Sequence, residues 1–230
     1  YTGERESLDV VKAQAAGIKK VLFNGQKPEP VKQAPCIKKN EAFKTSGQVQ
    51  YVAQNGNFRK KGLEYTGALE ILKVILSYDY LWINLRVKGG AYGCMSGFKR
   101  NGESFLVSYR DPHLKRTLEV YQGVPDYIRA FEADEREMTK YIIGTISNKD
   151  VPRTPQMQGS ISKTAYFSNV TEDMLQKERN QILGAQKEDI QKLAALVEAV
   201  LSDDQICVVG SETAIEKAED VFMEVKPLIG

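Results

Sequence analysis

The chain has 230 residues, of which 42% are hydrophobic and 27% are charged, so it has the composition of a globular protein with a sizeable core. The 32 Lys and Arg residues nearly balance the 30 Asp and Glu residues, and a net charge of +2 gives no basic excess that would indicate a nucleic-acid partner. No apolar run approaches the length of a membrane span. Cys36, Cys94 and Cys207 are widely spaced, which favours reduced thiols in a cytosol-like compartment over a disulfide framework.

The N-terminal region predicts a helix over residues 5–22, because its apolar residues recur at helical spacing behind an acidic start. The preceding segment, Tyr1-Thr-Gly-Glu, resembles the end of the apolar run 206–210, which also leads into a helix. This similarity predicts that residues 1–25 end a preceding homologous domain. The alternative is two unrelated helices with similar caps. Since the first residue is Tyr1 rather than Met, we expect the chain to be part of a longer protein.

Residues 26–40 contain three prolines and few apolar side chains, a composition typical of an extended linker. We therefore expect a domain boundary in this stretch. Residues 41–230 then form a C-terminal domain of their own.

The first part of that domain predicts one strand and two helices. Residues 47–53 alternate loosely between apolar and polar and indicate a strand, which the turn signal Asn55-Gly-Asn57 is expected to end. Residues 63–77 are apolar on most faces, as in a buried helix. A short helix over residues 79–87 would place Arg86 in its last turn.

A β-hairpin follows. Its predicted strands are residues 91–98 and 104–110, and the Asn101-Gly102 pair between them is a strong hairpin signal. Apolar and polar residues alternate in the second strand, so one of its faces is expected to be buried.

The rest of the chain predicts mostly helices. Helix starts are expected at Asp111-Pro112 and at Asp134, where Glu137 completes a capping pattern. Further helices are predicted over 157–167, 172–184 and 187–201, before a strand over 206–210 and a last helix start near Ser211. Three strands, a long helical run and a final strand predict an α+β fold. We expect a two-layer sandwich in which helices cover one face of a small, mostly antiparallel sheet.

The stretch Arg86-Val-Lys-Gly-Gly-Ala-Tyr-Gly93 is the candidate binding site. Its glycines remove side chains, so a ligand's backbone could approach closely, while Arg86 and Tyr92 supply strong hydrogen-bond donors for a carbonyl or an oxyanion. The same residues also fit a structural role. In that interpretation Gly89 and Gly90 cap a helix, Arg86 pairs with a surface carboxylate, and Tyr92 belongs to the core.

No metal site is predicted in this chain. His113 is the only histidine, and neither HExxH nor HxxEH occurs, whereas a catalytic zinc takes three protein ligands. The position of His113 beside Asp111-Pro112 is typical of a surface residue at a helix start. The glycines of the candidate site match neither a phosphate loop nor a GxGxxG motif.

Several segments resemble a known family. They are Tyr78-Asp-Tyr-Leu-Trp-Ile-Asn-Leu-Arg-Val-Lys-Gly-Gly-Ala-Tyr-Gly93, Val107-Ser-Tyr-Arg-Asp-Pro112, Ser46-Gly-Gln-Val-Gln-Tyr-Val52 and Asp134-Glu-Arg-Glu-Met-Thr-Lys-Tyr-Ile-Ile-Gly-Thr145. Together they are similar to the C-terminal domain of the presequence-protease branch of the pitrilysin (insulinase-like) zinc metallopeptidases. The resemblance covers roughly residues 40 to 230, and the spacing from Arg86 to Tyr92 is its most specific part.

The resemblance implies the mitochondrial-processing-peptidase-like metallohydrolase fold and a role in degrading short unstructured peptides inside a closed chamber. By motif position, Arg86 and Tyr92 would contact the substrate and act in catalysis, with Gly89 and Gly90 setting the turn that aims them. Zinc would be bound by the N-terminal catalytic half of the full-length protein, which would be the partner of this chain. A bacterial cytoplasm is the expected compartment, with an organelle matrix as the second choice. The alternative function is a catalytically silent homologous subunit that scaffolds or binds peptides.

Overall fold

The computed structural model describes residues 1–22, 25, 37 and 39–229. These residues form two compact units, one from the described residues up to Ile37 together with Val151–Leu175, the other from residues 39–150 and 176–229. Most of the predicted linker, residues 26–36 and 38, lies outside the described residues. The proposed division at residues 25 and 40 therefore stays a prediction.

The described residues form six strands and ten α-helices. The strands are β1 (Glu41–Thr45), β2 (Gln50–Asn57), β3 (Gly93–Phe98), β4 (Glu103–Asp111), β5 (Gln205–Ser211) and β6 (Glu224–Pro227). The α-helices are α1 (Leu8–Leu22), α2 (Ala68–Ile75), α3 (Lys115–Gln122), α4 (Val124–Arg129), α5 (Glu135–Lys149), α6 (Pro155–Phe167), α7 (Glu172–Leu183), α8 (Lys187–Gln191), α9 (Ala194–Leu201) and α10 (Glu212–Glu216). Two π-helical segments, Leu76–Tyr80 and Trp82–Val87, continue α2.

The strands form one open, mixed sheet in the order β3-β4-β2-β5-β1-β6. The pairs β3–β4, β4–β2 and β2–β5 are antiparallel, whereas β1 runs parallel to both β5 and β6. The predicted α+β class and mostly antiparallel sheet are confirmed. Strands β1 and β6 were not predicted, because each is short and neither has a clear alternation of apolar and polar residues.

Helices cover one face of the sheet. Along β2, buried Val52 and Gln54 alternate with the exposed Tyr51 and Asn55, so only one side of the strand faces the core. The buried side chains of α2, α3 and α9 contribute to the same hydrophobic cluster as Val52 and Leu106 of the sheet. The predicted two-layer arrangement is confirmed, and the opposite sheet face stays partly exposed.

The predicted hairpin is present, with β3 and β4 paired from Gly93↔Tyr109 to Phe98↔Ser104. Gly102 has a positive φ of 89°, as the turn requires. The turn is anchored by Arg100, whose Nε donates a 2.9 Å hydrogen bond to the carboxylate of Glu178 on α7. Glu178 is buried and also binds Lys149 at the end of α5, so its charge is compensated from two sides. This contact fixes the far end of the hairpin that carries Tyr92 at its base.

Three predicted boundaries were wrong. No helix starts at Asp111-Pro112, because β4 continues to Asp111 and α3 begins only at Lys115. Residues 187–201 form two helices instead of one, because Leu193 N–H donates to Ile190 O in a tighter three-residue turn between α8 and α9. The Asn55-Gly-Asn57 turn signal lies inside β2, which continues to Asn57. A Cβ at Gly56 would overlap the backbone carbonyl of Val200 on α9, so this glycine serves a close approach of strand and helix.

The helix start predicted at Asp134 is confirmed. Asp134 and Glu137 form the expected capping box at α5, with Glu137 N–H donating to Asp134 Oδ1 at 2.8 Å and Asp134 N–H donating to Glu137 Oε2 at 3.0 Å. Of the helices among the described residues, none is both long and apolar enough to cross a membrane.

The role of Gly56 gives a stability prediction. We expect Gly56→Ala to lower the free energy of unfolding by about 2 kcal/mol, because the added methyl group must push α9 away from β2. Gly144→Ala is the matched control: Gly144 lies in α5 with Val74 Cγ1 at 3.8 Å from an added Cβ, so the change is expected to be neutral or to stabilise by up to about 1 kcal/mol. Chemical denaturation of the purified chain measures both. Equal stability of the two variants would contradict the close approach at Gly56.

Candidate functional site

The helix that carries Arg86 is wound more widely than an α-helix. After α2, the backbone continues through the two π-helical segments, and Lys88 N–H donates to Ile83 O, five residues back, at 2.9 Å. Such π segments are rare and occur frequently at functional sites. Arg86 lies in the last turn, as predicted.

Two glycines end this helix. Gly90 has a positive φ of 77°, and the N–H groups of Gly90 and Ala91 donate to Arg86 O and Leu85 O, both at 2.9 Å. This is a glycine C-cap widened to suit the π winding. Gly89 is buried, and a Cβ there would overlap the carbonyl oxygen of Leu85. The helix-capping interpretation of both glycines is therefore correct, and their contact with substrate stays a prediction.

Arg86 bridges the helix to Tyr92, the residue just before β3. Its Nη1 donates a 2.8 Å hydrogen bond to Tyr92 O, and its guanidinium carbon lies 4.3 Å from the centroid of the Trp82 ring. The same carbon is 5.7 Å from the Tyr92 ring centroid. Within the described part of the chain, Arg86 forms no ion pair with a carboxylate. The alternative that it serves a surface salt bridge thus finds no support there.

Tyr92 lies on the surface. Its side chain is 57% exposed, and the interpretation of Tyr92 as a core residue was wrong. The backbone N–H donates to Arg110 O at 3.2 Å, and the ring meets Tyr109 edge-on with centroids 5.5 Å apart. Gly93 makes room for Tyr109, whose ring would overlap a Cβ at that position. The Tyr92 hydroxyl forms no hydrogen bond to any described residue and is therefore available to hydrogen-bond a ligand.

The sequence analysis missed two members of this cluster. Trp82 is four residues before Arg86, a spacing that puts two helical residues on one face, so this pair could have been found. Arg110 has its guanidinium carbon 5.6 Å from the Tyr92 ring centroid. Nothing in the local sequence indicated this contact, because it depends on how β4 pairs with its neighbours.

The neighbouring groups supply no nucleophile or general base. Burial raises the pKa of the Cys94 thiol, and the nearby Arg86 charge lowers it by less, so the thiol stays protonated at neutral pH. Asp111 is buried and engaged, its Oδ1 accepting from His113 N–H at 2.9 Å and its Oδ2 from the Thr117 hydroxyl at 2.7 Å. His113 itself is exposed, as predicted for a helix-start residue. The site therefore offers hydrogen-bond donors and positive charge, which suit a carbonyl, an oxyanion or a carboxylate.

The described residues do not fit a zinc ion. No three His, Cys, Asp or Glu side chains come together within them in a way that could hold a metal. Any catalytic metal must therefore have its ligands elsewhere than in this described part.

An apolar surface adjoins the site. Met95 and Tyr51 are 51% and 45% exposed on the sheet face that the helices leave open, and Val107 and Ala53 lie half-buried in the same face. Three of them follow one another across β3, β4 and β2 by strand register, with Met95 opposite Val107 and Val107 opposite Ala53, and Tyr51 is two residues before Ala53 on β2. A polypeptide next to Tyr92 would find this apolar surface beside it.

Comparison with known proteins gives the family. Residues 40–212 match the model of the PreP C-terminal domain. The chain is 44% identical over 229 residues to protein HypA of Clostridium perfringens, which covers all of this chain and 24% of that protein. It is 34% identical over 192 residues to presequence protease 1, chloroplastic/mitochondrial, of Arabidopsis thaliana, covering 82% of this chain and 18% of that protein. The chain thus spans less than a quarter of the length of these curated relatives.

Solved structures with low identity share the fold. The inactive domain of a peptidase M16 from Pseudomonas fluorescens superposes with a TM-score of 0.58 at 17% identity, over 97% of this chain and 52% of that one. Pitrilysin superposes with a TM-score of 0.57 at 19% identity, over 86% of this chain and 22% of that one.

The donor set predicts how the purified chain behaves toward metal. We expect the 230-residue chain to retain no stoichiometric zinc after dialysis and to cleave no peptide, because one histidine and scattered thiols cannot supply three ligands. Elemental analysis and a fluorogenic-peptide assay measure both properties. About one zinc per chain accompanied by peptidase activity would contradict the prediction.

Proposed function

Because this chain belongs to the PreP C-terminal domain family, we propose that it is the non-zinc-binding part of a zinc metallopeptidase that degrades short unstructured peptides in a closed chamber. Its contribution is to bind the peptide and to stabilise the transition state through Arg86 and Tyr92. The observation that carries this proposal is their arrangement: both are exposed, are tied together by the Arg86 to Tyr92 carbonyl hydrogen bond, and are free of carboxylate partners within the described residues.

The two side chains would act as donors to the oxygen of the scissile carbonyl. That oxygen gains negative charge as the tetrahedral intermediate forms, so a guanidinium and a phenol hydroxyl aimed at it bind the transition state more strongly than the substrate. One N–H of Arg86 is used for the Tyr92 carbonyl, and the guanidinium carries further donors. Gly89 and Gly90 contribute by ending the helix where these donors are presented.

The uncovered sheet face is the proposed wall of the chamber. Met95, Val107 and Tyr51 give it an apolar character that suits the side chains of an unfolded peptide, and exposed Gly90 allows a close approach of the peptide backbone. The partner that closes the chamber is the N-terminal catalytic half of the same protein, and the zinc ion belongs to that half.

The proposal includes a reducing compartment, a bacterial cytoplasm or an organelle matrix. Cys94 and Cys207 are free thiols, and burial raises the pKa of each, which fits unreacted cysteines. Its relatives include a bacterial protein and proteins named for chloroplasts and mitochondria.

A second candidate is a silent domain that scaffolds or binds peptides without taking part in cleavage. Structural neighbours named as inactive peptidase domains favour it. The exposed, unpaired Arg86 and Tyr92 favour the first candidate, since a scaffold needs neither. A zinc motif upstream in the full-length sequence supports the enzyme, and its absence supports the scaffold.

Substitutions in the full-length protein test the role of the two donors. We expect Tyr92→Phe to lower kcat by about two orders of magnitude, because it removes one donor to the oxyanion while keeping the ring. Arg86→Lys should not keep wild-type activity, since an ammonium cannot replace the planar fork of donors. Tyr92→Phe should leave the melting temperature nearly unchanged, because the ring stays and the hydroxyl forms no hydrogen bond to a described residue. Arg86→Lys should lower it slightly, because the hydrogen bond to Tyr92 O is lost.

Tyr166→Phe is the matched control, as it removes the hydroxyl of a tyrosine that is 79% exposed in α6, and it should keep wild-type turnover. Steady-state kinetics and thermal melts on the three variants separate the outcomes. Wild-type turnover in Tyr92→Phe would show that this hydroxyl takes no part in the chemistry.

A further inference from the structure

Strand β4 contains a bulge next to Tyr92. In the pairing of β2 with β4, Gln50 lies opposite Asp111 but Val52 lies opposite Ser108, so both Tyr109 and Arg110 face the single residue Tyr51. Arg110 has a positive φ of 48°. A bulge residue in this left-handed conformation is normally glycine, because a side chain strains it.

The bulge decides where Arg110 points. In β4, residues 104, 106 and 108 are buried, and strict alternation would turn residue 110 toward the core as well. Because of the extra residue, Arg110 is exposed instead, and Asp111 takes the buried position where it binds Thr117 and the N–H of His113. Glycine or asparagine adopts this backbone conformation at a lower energetic cost than arginine. The presence of arginine therefore indicates a role for its side chain.

Arg110 completes a cationic group around Tyr92. Its carbonyl accepts the Tyr92 N–H at 3.2 Å, and the guanidinium carbons of Arg110 and Arg86 lie 5.6 and 5.7 Å from the same ring centroid. Two further cations, Lys88 and Arg116, lie close to each other, since Arg116 Nη1 donates to Lys88 O at 3.2 Å. None of these four cations forms an ion pair with a carboxylate among residues 39–229.

We propose that Arg110 is a specificity-determining residue that binds a carboxylate of the peptide substrate. The inference rests on the proposed function of this site. A guanidinium fork matches the two oxygens of a carboxylate, and the carboxylate can come from an acidic side chain or from the C-terminus of the peptide. Because an extended peptide advances about 3.3 Å per residue, one segment can contact Tyr92 and the neighbouring guanidinium groups at once.

The test uses the full-length protein and four peptides of one sequence. The parent peptide has one glutamate and a free C-terminus; the others replace the glutamate by glutamine, the C-terminal carboxylate by an amide, or both. Arg110→Asn removes the guanidinium while suiting the left-handed backbone, and Arg110→Gly is a second variant with no strain at all. Arg136→Asn, an exposed arginine in α5, controls for the loss of one positive charge.

We expect Arg110→Asn and Arg110→Gly to lower kcat/KM for the parent peptide by about tenfold, mainly through KM. Both variants should match wild type on the peptide that lacks both carboxylates, and the singly changed peptides identify which carboxylate is bound. Arg136→Asn should show wild-type kinetics on all four. The inference is wrong if the Arg110 variants act equally on the four peptides or have no effect on any.

This result is separable from the proposed function. If Tyr92→Phe keeps wild-type turnover on all four peptides, the proposed function of the site fails. If Tyr92→Phe is inactive and the Arg110 variants do not distinguish the peptides, only the role of Arg110 fails.

Discussion

The hydrogen bond from Arg86 to the carbonyl of Tyr92 joins the two parts on which the site depends. One part is a π-wound helix end, and the other is the start of an edge strand. Six residues separate donor and acceptor, and the chain between them reverses through Gly89 and Gly90. Gly90 adopts its positive φ without steric cost, and buried Gly89 leaves room for the helix's own carbonyl groups. A side chain at either glycine would move Arg86 relative to Tyr92.

The surrounding contacts hold the two donors in place without removing them from solvent. Arg86 packs on Trp82, and Tyr92 packs against Tyr109; an exposed cation–π contact such as that of Arg86 contributes about 0.5–1 kcal/mol. These side chains are attached to a helix and to paired strands, which position a site more precisely than loops do. The hairpin is fixed in turn at its far end by the buried Arg100–Glu178 contact. Sheet and helices thus serve to present a small group of exposed donors.

The sequence was informative where local chemistry decides the structure. The Asn101-Gly102 hairpin, the capping box at Asp134 and the position of Arg86 in a last helical turn follow from nearby residues alone. Prediction from the sequence failed where long-range packing decides the structure. Gly56 has the local pattern of a turn but is needed in β2 for the approach of α9, and β1 pairs with strands more than 160 residues later in the chain. The bulge at Arg110 exists only in the pairing of β4 with β2, so this member of the site could not be found from the sequence.

A structure of the full-length protein with a bound peptide-bond isostere tests the central claim most directly. The account predicts that a donor of Arg86 and the hydroxyl of Tyr92 each lie about 2.7–3.2 Å from the oxygen that replaces the scissile carbonyl. The peptide should also follow the sheet face that carries Met95 and Val107. A peptide bound with Tyr92 still facing solvent, and with no oxygen within hydrogen-bonding distance of Arg86, would contradict it.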